Sequence, residues 1–214
     1  MQIASLQYIS QGATPAEHLQ NIQKSLNAGC RWIQLRLKNY DDNVILSSAL
    51  QALQVCKAAN AVLIINDRPD IAKAIGAHGV HLGKKDSSPL DVREALGSDF
   101  IIGGTANTID DIRALSGMGV NYIGLGPYRF TTTKQNLSPL LGLQGYQAIL
   151  KQMKTEALEL PVIAIGGLTI DDVEGLKEAG VYGVAVSSVI THAEDACVMV
   201  QEFENKISST SQLI

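Results

Sequence analysis

A chain of 214 residues with 46% hydrophobic side chains can bury one sizeable core, so a single domain is expected and an extended or disordered chain is excluded. The net charge of −4, with Lys and Arg scattered, excludes a basic face for nucleic acid or an anionic membrane, so any anion site must be local. Three widely spaced cysteines, Cys30, Cys56 and Cys197, form neither a CxxC nor a Cys/His cluster, which argues against a disulfide frame or zinc.

Val- and Ile-rich runs alternate with segments of helical period along the whole chain. In chain order the pattern predicts strand 3–9 and helix 15–28, strand 32–37 and helix 42–59, strand 62–66 and helix 70–75, strand 80–83 and helix 89–96. It continues with strand 100–103 and helix 108–116, strand 122–126 and helix 143–154, strand 162–166 and helix 170–179, strand 184–187 and helix 194–206. Asn107 or Thr108 ahead of Asp110 and Asp111, and Thr169 ahead of Asp171 and Asp172, supply N-terminal capping chemistry. Eight strand-helix units of about 27 residues predict a small single-domain (β/α)8 TIM barrel over residues 1–207, with 208–214 as a frayed tail. An open doubly wound sheet is the alternative that periodicity leaves standing. The N-terminal MQIASLQYISQG has no basic leader before a long apolar run, and no stretch is long enough to cross a bilayer, so cytoplasmic residence without a membrane partner is expected.

The second strand carries QLRLK. With a side-chain period of two, Gln34, Arg36 and Lys38 leave one face and Ile33, Leu35 and Leu37 the other. In isolation this suits a solvated edge strand. Pointing into a barrel, the two cations ask for an anionic ligand, because buried charge is costly unless it is met.

Reactive groups in such a barrel belong at the C-terminal strand ends, and several candidates fall there. Strand three ends in Asn66 and Asp67, with Pro69 marking its exit; strand four carries His81 and runs into Lys84, Lys85 and Asp86. Asp67 and Asp86 lie on neighbouring strands and could share one Mg2+, which takes one or two carboxylates and fills its remaining positions with water and substrate phosphate. Taken singly, each could be a helix cap. His81 could line the cavity or serve structure alone, whereas His18, His78 and His192 sit in helix or turn contexts. The long connection 127–142, with Thr131, Thr133 and Lys134, could close over a phosphate. Gly166-Gly167 and Ser187-Ser188 end strands seven and eight, where barrels of this kind bind phosphate.

Taken in order, QLRLK at 34–38, INDR at 65–68, GVHLG followed by Asp86, YIGLGP followed by TTTK at 131–134, PVIAIGG at 161–167 and GVAVSS at 183–188 resemble the thiamine phosphate synthase family across nearly the whole chain. The resemblance implies a transferase that joins 4-amino-2-methyl-5-hydroxymethylpyrimidine diphosphate to a thiazole phosphate, giving thiamine phosphate and pyrophosphate. It implies Asp67 and Asp86 as Mg2+ ligands, with Arg36, Lys38, Asn66 and Lys134 around the diphosphate. Gln34 would help place the pyrimidine, Gly167 and Ser188 with neighbouring backbone would take the thiazole phosphate, Thr131 and Thr133 would bind in the closing loop, and His81, Thr105 and Ser187 are further substrate-binding candidates. The implied mechanism is dissociative, with pyrophosphate leaving before the thiazole nitrogen attacks. The partners are small molecules, and a homo-oligomer is compatible.

Three positions depart from the family pattern: Lys84 where glutamine is more usual, Phe130 where proline usually precedes the threonines, and Asn107 where histidine is common. The related thiazole tautomerases use a histidine at that last position for proton transfer, which an amide cannot perform near neutral pH. A non-catalytic phosphometabolite-binding regulator, or another phosphate-handling barrel isomerase, are the remaining alternatives.

Overall fold

The structure, a computed structural model, describes residues 3–130 and 139–209. Its elements run β1 (Leu6–Ile9), α1 (Pro15–Asn27), β2 (Trp32–Leu35), α2 (Asp42–Ala58), β3 (Val62–Asn66), α3 (Pro69–Ile75), β4 (Gly79–Leu82) and α4 (Pro89–Leu96). The second half follows with β5 (Ile101–Ala106), α5 (Ile109–Ser116), β6 (Tyr122–Leu125), α6 (Gly142–Thr155) and β7 (Val162–Ile165). A 3-10 turn (Ile170–Asp172) then leads into α7 (Val173–Glu178), β8 (Gly183–Val186), α8 (Ser188–Thr191) and α9 (Ala196–Ser208). All eight strands are parallel, each pairs with its neighbour, and β8 closes on β1 with Leu6 opposite Val184. The expected (β/α)8 barrel is therefore present, and the open sheet is excluded.

Alternation along the strands divides the apolar residues into two populations. Ile33, Leu35, Leu63, Ile65, Val80 and Leu82 face outward into the shell between barrel and helices. Trp32, Ile64, Ile101, Tyr122, Ile163 and Ala185 face inward and form a separate cluster inside the barrel. Each fully buried side chain of the Ile, Leu or Val type contributes about 1.5–3 kcal/mol, so these runs supply the driving force for closure.

Several boundaries differ from expectation. β1 begins at Leu6, not residue 3, and β2 ends at Leu35, so Arg36 and Lys38 stand just beyond the ladder. β5 runs through Ala106, whereas Gly104, Thr105 and Ala106 were expected to follow the strand. The ladder continues past the expected end, for Gly103 pairs with His81 and Tyr122, and Gly104 with Leu82 and Ile123. The four-residue α8 was not expected. Its neighbour α9 reaches Ser208, and residues 210–214 of the expected tail lie outside the described residues.

Helices begin on the face where strands end, so their caps shape the barrel mouth. Thr108 and Asp111 form a reciprocal capping box on α5, and Thr169 with Asp172 does the same for the 3-10 turn, as the sequence predicts.

Gly103 faces the interior, where an added methyl would overlap the Tyr122 ring and His81 Nδ1. Both rings are held in a filled barrel, so Gly103→Ala is expected to lower stability by about 1–3 kcal/mol, read as the shift of a urea midpoint. Gly117→Ala, where an added methyl meets nothing within 4 Å, should leave that midpoint nearly unchanged and serves as the control.

Candidate active site

At the C-terminal ends of the strands lies a cavity of about 170 Å³ to which every strand, or the loop after it, contributes. From β2 and its extension come Gln34, Arg36 and Lys38, while Ile33, Leu35 and Leu37 enter the outer core. The polar face of QLRLK thus points inward, and a closed barrel has no edge to which the solvated alternative could apply.

Asp67 and Asp86 meet at this mouth. The Asp67 backbone sits in the left-handed region at φ 62°, and its N–H donates to the His81 carbonyl at 2.9 Å. This conformation is unusual outside glycine, though aspartate tolerates it better than most residues. It turns the carboxylate back over the cavity, where Lys38 Nζ lies 3.0 Å away. Asp86 accepts from the Gly83 N–H at 2.6 Å, which folds the segment after β4 over the strand end. Neither aspartate is a helix N-cap, since Arg68 and Ser88 occupy those positions on α3 and α4.

The two carboxyl groups are close enough to hydrogen-bond to each other. Burial alone would raise the Asp67 pKa, but the hydrogen bond with Asp86 and the Lys38 ammonium outweigh it and hold Asp67 below the usual carboxylate range. Burial raises the Asp86 pKa, and the Asp67 charge adds to the rise. A proton entering the pair therefore settles on Asp86. Burial lowers the pKa of the Arg36 guanidinium, an effect Asp67 partly offsets. Asn66 is buried and borders the cavity, and its side chain adds to the groups that lower the Asp67 pKa. The adjoining Arg68 is turned away from the mouth into a double ion pair with Asp42 and Asp70.

Below the charged rim is a layer of neutral polar groups. Gln34 Nε2 donates to Gln7 Oε1 at 3.2 Å, and Gln7 Nε2 reaches Tyr122 Oη at 3.5 Å. His81 places Nδ1 3.1 Å from Tyr122 Oη and Nε2 3.0 Å from Thr105 Oγ1, with its ring stacked on Tyr122. Gln34, His81 and Thr105 were sequence candidates, whereas Gln7 and Tyr122 were not. The alternation of LQYI, with Leu6 and Tyr8 in the outer core and Gln7 between them, was the available signal for Gln7.

Opposite the carboxylates, Gly166 at φ 103° and Gly167 at φ 68° make a turn that other residues adopt with difficulty. Ser187 and Ser188, at the start of α8, complete this wall, with Ser187 Oγ donating to Gln11 Oε1 at 3.0 Å. A clamp not read from the sequence secures the turn. Arg129 grips Asp172 through both Nη atoms at 2.9 and 2.6 Å and also donates to the Gly167 carbonyl at 2.9 Å. Thr131, Thr133 and Lys134 lie outside the described residues.

The family model for thiamine monophosphate synthase matches residues 6–190. The chain belongs to the thiamine monophosphate synthase family. It is 47% identical over 204 residues to a thiamine-phosphate synthase of Flavobacterium johnsoniae, covering 94% of this chain and 95% of the relative. A thiamine-phosphate synthase of Bacteroides fragilis is 46% identical over 191 residues, covering 89% and 94% of the two chains. Among solved structures, the thiamine phosphate pyrophosphorylase of Pyrococcus furiosus superposes with a TM-score of 0.80 at 26% identity, covering 95% of each chain. Membership makes this chain a transferase of thiamine biosynthesis.

Two departures from the family pattern have local structural roles. Lys84 pairs with Asp111 at 2.5 Å, and Asp111 already accepts from the Asn107 and Thr108 N–H groups at the head of α5. The Asn107 side chain donates to the Gly126 carbonyl, bracing the end of β6. No helix among the described residues is long and apolar enough to cross a membrane.

The clamp supplies a pH-dependent term. Burial opposes it, but hydrogen bonds from the Thr169 N–H and from Arg129 hold the Asp172 pKa below the ordinary carboxylate value. A carboxylate depressed on folding adds stability above its unfolded pKa of about 3.9 and loses it as pH falls through the folded value. Asp172→Asn should therefore be less stable than the parent at pH 7, with the gap narrowing below about pH 4. Urea unfolding at stepped pH measures it, and a gap that stays constant with pH would remove the electrostatic account.

Proposed function

We propose that this chain joins 4-amino-2-methyl-5-hydroxymethylpyrimidine diphosphate to a thiazole phosphate, releasing pyrophosphate and yielding thiamine phosphate. The observation that carries the reading is the meeting of Asp67, Asp86, Lys38 and Arg36 on one wall of a mouth whose opposite wall is the Gly166-Gly167 turn with Ser187 and Ser188. One wall suits a diphosphate, the other a monophosphate, and the neutral polar layer between them suits a flat heteroaromatic ring. Action in the cytoplasm belongs to the same proposal, supported by three free cysteines.

Bond breaking comes first. The bond between the pyrimidine methylene carbon and the diphosphate oxygen opens with its electron pair leaving on pyrophosphate. The 4-amino group donates into the ring to stabilise the methylene cation, and the thiazole nitrogen lone pair closes the new C–N bond. No proton has to be removed, so the residues act by position and charge. Arg36 and Lys38 stabilise the negative charge that gathers on the leaving group, and the Asn66 amide at the cavity edge offers it a further donor. Gln34, His81 and Thr105 orient the ring, while Gly167, Ser187 and Ser188 hold the thiazole phosphate.

Asp67 and Asp86 would hold Mg2+. Two adjoining hard-oxygen donors, one of them kept ionised, fit an ion that fills its other positions with water and phosphate oxygens. Among the described residues no group of three or more His, Cys, Asp or Glu side chains forms, so the remaining positions would fall to water and substrate oxygens. When bound, the ion supplies charge neutralisation to the departing pyrophosphate. Lys38, half-exposed and paired with Asp67, would be available to the diphosphate with Asp67 engaged by the metal.

Arg36→Ala and Lys38→Ala are each expected to slow turnover by about 10²–10³-fold, the loss associated with removing one preorganised donor. The assay follows pyrophosphate release from purified protein supplied with both substrates and Mg2+. Parental turnover in either variant would strip that residue of its role. In the same assay a chelator should abolish release and excess Mg2+ restore it, and Asp67→Asn should require more Mg2+ to reach half-maximal rate. Release indifferent to the chelator would overturn the metal assignment.

A further inference from the structure

We infer that Gln7, which does not line the cavity, is a positioning residue that fixes the hydrogen-bonding polarity of the pocket floor and so selects an amino-substituted over an oxo-substituted pyrimidine. The inference rests on the reading of the site as a pyrimidine site and adds a residue and a selectivity to it.

Five side chains from five strands form one unbroken series: Gln34 on β2, Gln7 on β1, Tyr122 on β6, His81 on β4 and Thr105 on β5. The direction of the first link decides all the others. Gln34 Nε2 donates to Gln7 Oε1, which leaves Gln7 Nε2 to donate to the Tyr122 oxygen. A phenol has one proton, and with a donor already on its oxygen that proton turns to His81 Nδ1, 3.1 Å away. Burial pushes the Tyr122 pKa up, so the proton stays on the phenol.

A neutral imidazole that accepts at Nδ1 carries its proton on Nε2. That proton is donated to Thr105 Oγ1 at 3.0 Å, so the threonine's own O–H is directed elsewhere. Both ends of the series border the cavity, whereas Gln7 is 2% exposed and Tyr122 is fully buried. The floor thus presents an acceptor, Gln34 Oε1, on one side and a donor, the Thr105 hydroxyl, on the other.

A 4-aminopyrimidine matches this pattern with an amino N–H and an unprotonated ring nitrogen. Its 4-oxo counterpart reverses both groups, offering a carbonyl oxygen beside a ring N–H. Sites that hydrogen-bond a substrate group discriminate strongly, because the wrong analogue leaves buried partners unmet. The polarity is not set by the rim residues that touch the ring. It is set by Gln7, whose amide is both the acceptor for Gln34 and the donor to Tyr122.

Gln7→Met keeps the chain length and removes both hydrogen bonds, and Tyr122→Phe keeps the ring that stacks on His81 and packs edge-on against Trp32. In both variants KM for the aminopyrimidine diphosphate should rise about 10-fold, the loss expected for one hydrogen bond of moderate strength, while KM for the thiazole phosphate stays within about twofold. The preference for the amino over the oxo diphosphate, as the ratio of kcat/KM values, should fall by about the same factor. Nitrogen-15 NMR of the parent protein should report the His81 proton on Nε2, and in Gln7→Met a mixture of tautomers.

Folded variants with unchanged KM and unchanged amino/oxo preference would overturn the inference, as would a parent His81 protonated on Nδ1. The NMR arm needs neither substrate nor a foldable variant. A parent with the Nε2 tautomer but no turnover would locate the failure in the proposed reaction and leave the floor polarity intact.

Discussion

One backbone hydrogen bond, from the Asp67 N–H to the His81 carbonyl, ties the end of β3 to β4 and holds Asp67 in a left-handed conformation. Most side chains would be strained there, and the compensation is positional. The carboxylate is carried back over the barrel mouth to meet Lys38 and Asp86. The same bond engages the backbone of His81, whose ring belongs to the polar floor. Rim and floor therefore share one anchor, and the charged wall is located relative to the layer beneath it by main chain, not by long flexible side chains.

Much of this was legible in the sequence because it depends on period and spacing. The two-residue alternation of QLRLK put Gln34, Arg36 and Lys38 on one face, which closure of the barrel turns inward, and one strand-helix unit between Asp67 and Asp86 put them on neighbouring strand ends. What was not legible depends on partners far away in the chain. The strand was expected to stop at Gly103, and only the fold shows Tyr122, His81 and Leu115 occupying the space that the missing side chains of Gly103 and Gly104 leave. Arg129 and Asp172 are separated by 43 positions, and no local pattern announces their pairing. Gln7 and Tyr122 sit in ordinary apolar strands, where single polar groups carry no signal until the barrel closes around them.

The departures from the family pattern have a common physical theme. Lys84 reaches away from the mouth to an aspartate that already caps a helix, and Asn107 braces a carbonyl at the end of β6. Both groups stiffen the loop between β5 and α5 without adding a proton donor or acceptor to the reacting centre. The Gly166-Gly167 wall is likewise secured from outside, by the Arg129 guanidinium held on the Asp172 carboxylate.

The apolar plug of Trp32, Ile64, Ile101 and Ile163 seals the lower half of the barrel. The chamber is therefore a cup, not a tunnel, and everything that enters must leave through the same doorway. Two reactants and two products share that passage, so a molecule seated deep on the floor is trapped behind whatever binds at the rim. Under the proposed reaction, order of arrival and departure would then be a property of depth: the ring that lies lowest would enter first, and the coupled product built on it would exit only after the anion at the lip had gone.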